Sequence, residues 1–169
     1  TAALPIRNSW SHYLAADFTP RTGAKGNPCV EPLVTTRWTQ EKYYNTMCPY
    51  NPRNSYDDDF HTPVGCVALT MSNILYYYRW PEKGYGVVSY IPLERDDETN
   101  EVTYTYPVQT VNYGQASYDY DAMANSLSKY DGELAKLIYH CGVSVRMSYG
   151  WDGSGSQSEY ALHALQDHY

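Results

Sequence analysis

Residues Val64-Gly65-Cys66-Val67-Ala68 set a cysteine after a Pro-Val-Gly turn and at the head of an apolar-periodic run. A thiol at a helix N-terminus faces unpaired N–H groups and the positive end of the helix dipole, and both favour the thiolate, the nucleophilic form. On spacing alone the commoner assignment for such a cysteine is a small buried hydrophobe. Gly65 shifts the balance toward catalysis, because glycine lets a backbone or a substrate come close. Acyl transfer from a thiol also needs donors aimed at the developing oxyanion, a backbone N–H at the nucleophile and a side-chain amide. Gln40, closing the stretch Thr35-Thr36-Arg37-Trp38-Thr39-Gln40, can supply the amide, although in isolation it reads as a surface polar residue. A third piece is the glycine-rich loop Tyr149-Gly150-Trp151-Asp152-Gly153-Ser154-Gly155-Ser156. It offers backbone N–H and C=O groups to an extended peptide, lacks the lysine of a P-loop, and is equally consistent with a plain turn. Of the five histidines, only His61 lies near Cys66 in sequence as a general base. His12, His140, His163 and His168 read as surface or core residues, and the five make no defensible metal site.

These residues need a frame. Cys66 to Arg79 carries apolar residues at Ala68, Met71, Leu75 and Tyr78, the spacing of a buried helical face, and Pro81 ends it near Trp80. Glu101 to Tyr106 alternates as a strand and is expected to pair with residues 87–91 in a hairpin across the acidic turn Glu94 to Asn100. A second helix is expected from Asp131 to Cys141, stopped by Gly142, followed by an alternating strand from Val143 to Met147. A third helix is expected from Gln157 to Asp167, opened by a Ser156–Glu159 capping box. Residues 47–63 are a turn-rich loop. Its Asp57 to Asp59 run lacks the alternating carboxylates and glycine of a calcium loop, so a solvated loop is the stronger reading. Residues 1–28, with Pro5, Pro20, Pro28 and the stretch Thr22 to Asn27, read as a leader or pro-segment remnant with a linker, and residues 29–169 as the working domain.

Composition sets the limits. The formal net charge of −7 argues against nucleic acid or an anionic membrane as partner, because phosphate contacts need clustered Lys and Arg. No apolar run approaches the roughly 18 residues of a membrane span. A leader, if one existed, is expected to have been removed before Thr1. Tyrosine dominates the aromatics, 20 Tyr against 2 Phe, a weak sign of an extracellular or periplasmic setting. The four cysteines include no CxxC pair, so structural zinc is disfavoured. They allow a Cys29–Cys48 disulfide or isolated buried thiols.

Taken in order, the segments stop being separate signals. Pro32 to Gln40 is followed by Tyr44-Asn45-Thr46-Met47-Cys48-Pro49, Gly65-Cys66-Val67-Ala68 and Tyr76 to Gly84. Tyr118-Asp119-Tyr120-Asp121, Cys141 to Gly150 and Ser154-Gly155-Ser156 complete the series. Over residues 30–169 it resembles the streptopain family of papain-like cysteine peptidases, and within it the Bacteroidetes members. The resemblance implies an α+β, papain-like fold, incomplete in this chain, and a bacterial protein that is secreted, periplasmic or on the cell surface. It implies a cysteine endopeptidase with Cys66 as nucleophile, Gln40 as the oxyanion-hole side chain, and Ser154, Gly155 and Ser156 lining the cleft near the S2 site. Polypeptides are the implied substrates, with an apolar P2 preference, and neither metal nor organic cofactor is needed. It also implies a pro-segment that blocks the site until removed. The family's catalytic histidine lies in a Gly-His motif that would fall past Tyr169. A second polypeptide carrying the C-terminal half is therefore expected to supply the base, and this chain alone is expected to be inactive. The rival expectation is a non-catalytic binding or adhesion domain on the same scaffold, or an inactive fragment.

Overall fold

Two helices of equal length organise the molecule. In the computed structural model, α1 spans Cys66–Tyr78 and α2 spans Gly132–Ser144, and they pack against each other. The structure describes residues 32–55 and 59–169. The expectations for residues 1–28, for Cys29, and for Asp57 and Asp58 lie outside them.

α1 forms where the periodicity places it. Ala68, Met71, Ser72 and Leu75 are its buried face. Within the helix, the Ser72 hydroxyl on that face and the flanking Asn73 Nδ2 both donate to the Leu69 carbonyl, at 2.8 and 2.7 Å. The helix ends at Arg79, which adopts a left-handed conformation (φ 52°) and returns its N–H to the carbonyls of Leu75 and Tyr76. Thereafter the Arg79 guanidinium lies over the Tyr76 ring at 4.0 Å and donates to the Tyr120 carbonyl.

α2 is the centre of the core. Leu134, Ala135, Leu137, Ile138, Cys141 and Val143 are fully buried. The helix continues past the expected stop at Gly142. A Cβ at Gly142 would sit 2.8 Å from the Tyr149 hydroxyl and 3.7 Å from Ala68 Cβ, so this glycine serves close packing rather than termination. The expected strand over 143–147 does not form. Val143 and Ser144 finish the helix, and the chain then turns at Arg146 (φ 49°). The alternation of Val143, Val145 and Met147 arises because a helix end and a left-handed turn direct all three into the core.

The sheet region also departs from expectation. β1 (Val87–Tyr90) pairs antiparallel with β4 (Gln109–Asn112), while β3 (Val102–Thr105) pairs with β2 (Leu93–Arg95). Residues 87–91 and 101–106 therefore belong to different ladders of one long hairpin. Pro92 lies at the break between β1 and β2, and Pro107 between β3 and β4. Proline has no N–H to give a ladder, so the pairing divides there. Glu94 and Arg95 belong to β2, and Asp96 makes the turn by accepting from the N–H groups of Glu98 and Thr99 and from the Thr99 hydroxyl.

α3 spans Ser158–Asp167, with Gln157 at its N-cap and no side-chain cap. The expected capping box is absent, because the Ser156 hydroxyl donates to the Val145 carbonyl at 2.7 Å instead. Cys48 and Cys141 are buried free thiols and Cys66 an exposed one, so Cys48 follows the isolated-thiol alternative. Among the described residues, no helix is long and apolar enough to cross a membrane.

Candidate active site

The site is assembled from three stretches far apart in sequence. The first is the turn into α1. Gly65 is the N-cap residue, with φ 84° and ψ 142°, a backbone conformation that favours glycine. No side chain caps the helix and no acidic residue lies in its first turn. Its leading N–H groups and positive dipole end are thus not neutralised by side chains beside the exposed Cys66.

The second stretch carries Gln40. The Gln40 carbonyl accepts the Val64 N–H at 3.0 Å, which fixes its backbone two residues ahead of the thiol-bearing turn. Trp38 holds the approach. It is buried, donates its indole N–H to the Ala124 carbonyl at 2.8 Å, and meets Tyr76 of α1 edge-on at 4.9 Å. After Gln40 the chain turns at once, the Glu41 carbonyl accepting from Tyr44 N at 2.8 Å.

The third stretch is the glycine-rich loop. Ser148 and Gly155 exchange two backbone hydrogen bonds, at 2.9 and 3.0 Å, and close it into a narrow hairpin. Gly150 fits tightly inside, since a Cβ there would lie 2.5 Å from the Gly153 carbonyl. The loop reaches the Cys66 turn directly. A Cβ on Gly65 would fall 2.9 Å from the Ser154 carbonyl and 2.7 Å from the Met147 thioether. The structure therefore brings Cys66, the Gln40 backbone and the Ser154 backbone to one place. Ser156 has another task, as its hydroxyl ties the loop base to the end of α2. The Ser154 hydroxyl accepts from Gly150 N at 3.4 Å, inside the loop. On its other side the loop borders an open cavity of about 880 Å³, with Trp151, Asp152, Tyr160 and Arg146 in its lining.

The two buried thiols differ from Cys66 in chemistry as well as place. Burial pushes both Cys48 and Cys141 up to about 12. At neutral pH they are protonated and inert.

Three of the four described histidines are engaged elsewhere. His61 sets its Nδ1 against the Cys48 carbonyl at 2.6 Å and bridges to Tyr50, pinning its own loop. His140 pairs Nδ1 with the Tyr118 hydroxyl at 3.0 Å, and burial, aided by Lys136, lowers it to about 4. His168 stacks on Tyr113 and pairs with the Tyr85 carbonyl. His163 is an exposed residue of α3, and His12 lies outside the described residues. Among the described residues, no group of His, Cys, Asp or Glu is arranged to hold a metal.

Sequence reasoning missed the role of Met147, whose thioether backs Gly65. It also missed the network formed by Asn51, Arg53, Glu94 and Tyr106 behind the loop that leads to Cys66. Glu94 accepts from Asn51 Nδ2 and from the Tyr106 hydroxyl, each at 2.9 Å, and pairs with Arg53. The one local signal for the Met147 contact was Gly65, whose missing side chain announces a close approach without naming the neighbour.

Comparison with known proteins now decides the family. Residues 38–169 match the Peptidase C10 family. The chain belongs to that family. It is 27% identical over 147 residues to the thiol protease/hemagglutinin PrtT of Porphyromonas gingivalis, an alignment covering 84% of this chain and 15% of that protein. The solved structure of active interpain A, a cysteine protease of Prevotella intermedia, superposes with a TM-score of 0.66 at 25% identity, covering 83% of this chain and 55% of that one. A prointerpain A fragment from the same organism superposes with the same TM-score at 23% identity, covering 99% and 51% of the two chains. The C10 chain thus has the α+β, papain-like fold expected of it, and spans about half of the solved relatives it matches. Those relatives are cysteine proteases, and prointerpain A is a pro-form.

Proposed function

We propose that this chain is the nucleophile-bearing part of a secreted cysteine endopeptidase, with Cys66 as the attacking thiol. The observation that carries the reading is the exposed Cys66 thiol at an uncapped helix N-terminus, with the Gln40 and Ser154 backbones held against the preceding turn. In the reaction, the Cys66 thiolate attacks a peptide carbonyl and forms the new S–C bond. The Cys66 N–H and the Gln40 amide stabilise the oxyanion. The C–N bond then breaks as an imidazolium gives its proton to the leaving amine. Water hydrolyses the thioester and restores the thiol. Ser154 and Gly155 present backbone along the cleft, with Ser156 bracing them from behind.

The base comes from residues beyond this chain. The ring engagements of His61, His140 and His168 support this, as does the share of its relatives that the chain spans. This chain also leaves an apolar face for that part to cover, where Ile74, Tyr78 and Trp80 stand exposed beside Leu165. Residues 1–28 are the remnant of an inhibitory pro-segment in this reading, and the tyrosine-rich composition accords with a secreted bacterial protein. By itself the chain does not hydrolyse peptide.

The test is Cys66→Ala in the natively purified protein, alongside its intact mass under denaturing conditions. The reading requires hydrolysis to fall to background while the fold persists, because Cys66 is exposed. It also requires a second polypeptide bearing the base. Activity retained by Cys66→Ala would remove Cys66 from the chemistry. An active sample consisting of a single 19.3 kDa species would place the base within this chain.

A further inference from the structure

One short segment joining β1 to β2 reaches both the Cys66 turn and the glycine-rich loop. From Tyr90 at the end of β1 to Glu94 in β2, it carries two polar side chains that point to different neighbours. Glu94 is directed at the segment leading to the nucleophile. Its carboxylate, 12% exposed, pairs with Arg53 and accepts from Asn51 Nδ2. Asn51 in turn gives its N–H to the Phe60 carbonyl at 2.9 Å and accepts the Asn54 N–H at 3.0 Å, so Glu94 holds a knot just ahead of Thr62, Val64 and Cys66. Tyr90 is directed at the rim. Its hydroxyl donates to the Met147 carbonyl at 2.9 Å, and Met147 is the residue whose side chain backs Gly65. Between the two, the Leu93 carbonyl accepts the Ser148 hydroxyl at 3.2 Å, at the base of the glycine-rich loop.

Building on the reading of Cys66 as a peptidase nucleophile, we propose that the Tyr90–Glu94 segment is a strut that sets the spacing between the Cys66 turn and the Ser154 rim. Glu94 and Tyr90 are then positioning residues for the peptide substrate. Neither touches it. The strut governs how a bound peptide meets the thiol and leaves the intrinsic reactivity of the thiol alone. A misplacement of about 1 Å between bound group and nucleophile costs on the order of 10²-fold in rate, so modest slack in the strut is visible kinetically.

The experiment compares two reagents with one warhead on the natively purified protein, iodoacetamide itself and a capped dipeptide carrying the same iodoacetamide group. Alkylation of Cys66 is followed by peptide mass mapping. Small-reagent labelling needs only an exposed thiol, whereas the dipeptide reagent needs the rim in register, so the ratio of the two rates reports alignment and is not moved by a change in stability. Glu94→Gln and Tyr90→Phe are each expected to lower the ratio on the order of 10-fold, with the iodoacetamide rate unchanged. Tyr90→Phe removes one hydroxyl from a half-buried ring, so it keeps the test open if Glu94→Gln loosens the fold. Wild-type ratios in both folded variants would overturn the strut and leave the reading of Cys66 standing. A wild-type protein with no preference for the dipeptide reagent would overturn both.

Discussion

α1 and α2 are each 13 residues long, yet their N-termini are built in opposite ways. α2 begins with Asp131, whose carboxylate accepts from Glu133 N and Leu134 N at 3.1 Å, and an acidic Glu133 stands in its first turn. Its donors are satisfied and its dipole is met by negative charge. α1 begins with Gly65, has neither cap nor acid, and leads with an exposed thiol. A cap is ordinarily worth about 1 kcal/mol, so α1 forgoes stability that α2 takes. The difference separates a helix that holds the core from one that presents a site. In the proposed reading, the donors left unneutralised at the head of α1 serve a developing oxyanion.

The sharpest way to probe the α2 side is through pH. His140 is half-buried among the core tyrosines and is held at about 4, chiefly by desolvation and then by Lys136, with Glu133 opposing. Its ordinary value is 6.5. Between these values the unfolded chain binds a proton that the folded chain refuses, so stability falls as pH drops from about 6.5 to about 4. The loss is on the order of 3 kcal/mol. Denaturant midpoints across that range should show it, and a flat profile would contradict the burial of a neutral His140.

On the α1 side, Gln40→Ala should lower the rate of peptide hydrolysis by about 10²-fold with little change in melting temperature. An unchanged rate would remove the Gln40 amide from the oxyanion site. Gly65→Ala should damage both quantities. The new Cβ meets the Ser154 carbonyl and Met147 at under 3 Å, at φ 84°. Strain of this kind costs on the order of 1–3 kcal/mol, and the rim must shift to relieve it. Urea denaturation and peptide kinetics on the same preparation would show whether the two losses appear together. The smallest effect expected is for Asp131→Ala, a loss of about 1 kcal/mol of stability with no effect on turnover per folded molecule. If turnover fell as well, the division of labour between the helices would fail.

Much of this organisation was legible in the residues. Ala68, Met71 and Leu75 gave α1 its face, and Pro81 gave its end. The ordered motifs around Gln40, Cys66 and Ser154 pointed to the peptidase family, which the match over residues 38–169 bears out. The failures share a cause. Gly142 resembles a helix stop, but its missing side chain makes room for Ala68 and Tyr149, neighbours set by tertiary packing. Ser156 and Glu159 have capping-box spacing, but the hydroxyl finds the Val145 carbonyl first, because the loop folds back on α2. Val143, Val145 and Met147 alternate as a strand would, yet a left-handed turn at Arg146 buries them without one. Residues 87–91 and 101–106 suit one another by pattern, and the two prolines assign each a different partner. The contact between Gly65 and Ser154 is of the same sort, since local spacing carries no information about which distant backbone arrives.

The most direct test of the central claim is stoichiometric. Iodoacetamide is added in sub-equivalent steps to the native, active protein, and peptide hydrolysis is measured against label mapped to each cysteine. The account predicts that activity falls in proportion to label on Cys66, with Cys48 and Cys141 untouched in their buried, protonated state. Hydrolysis that survives complete labelling of Cys66 would contradict it.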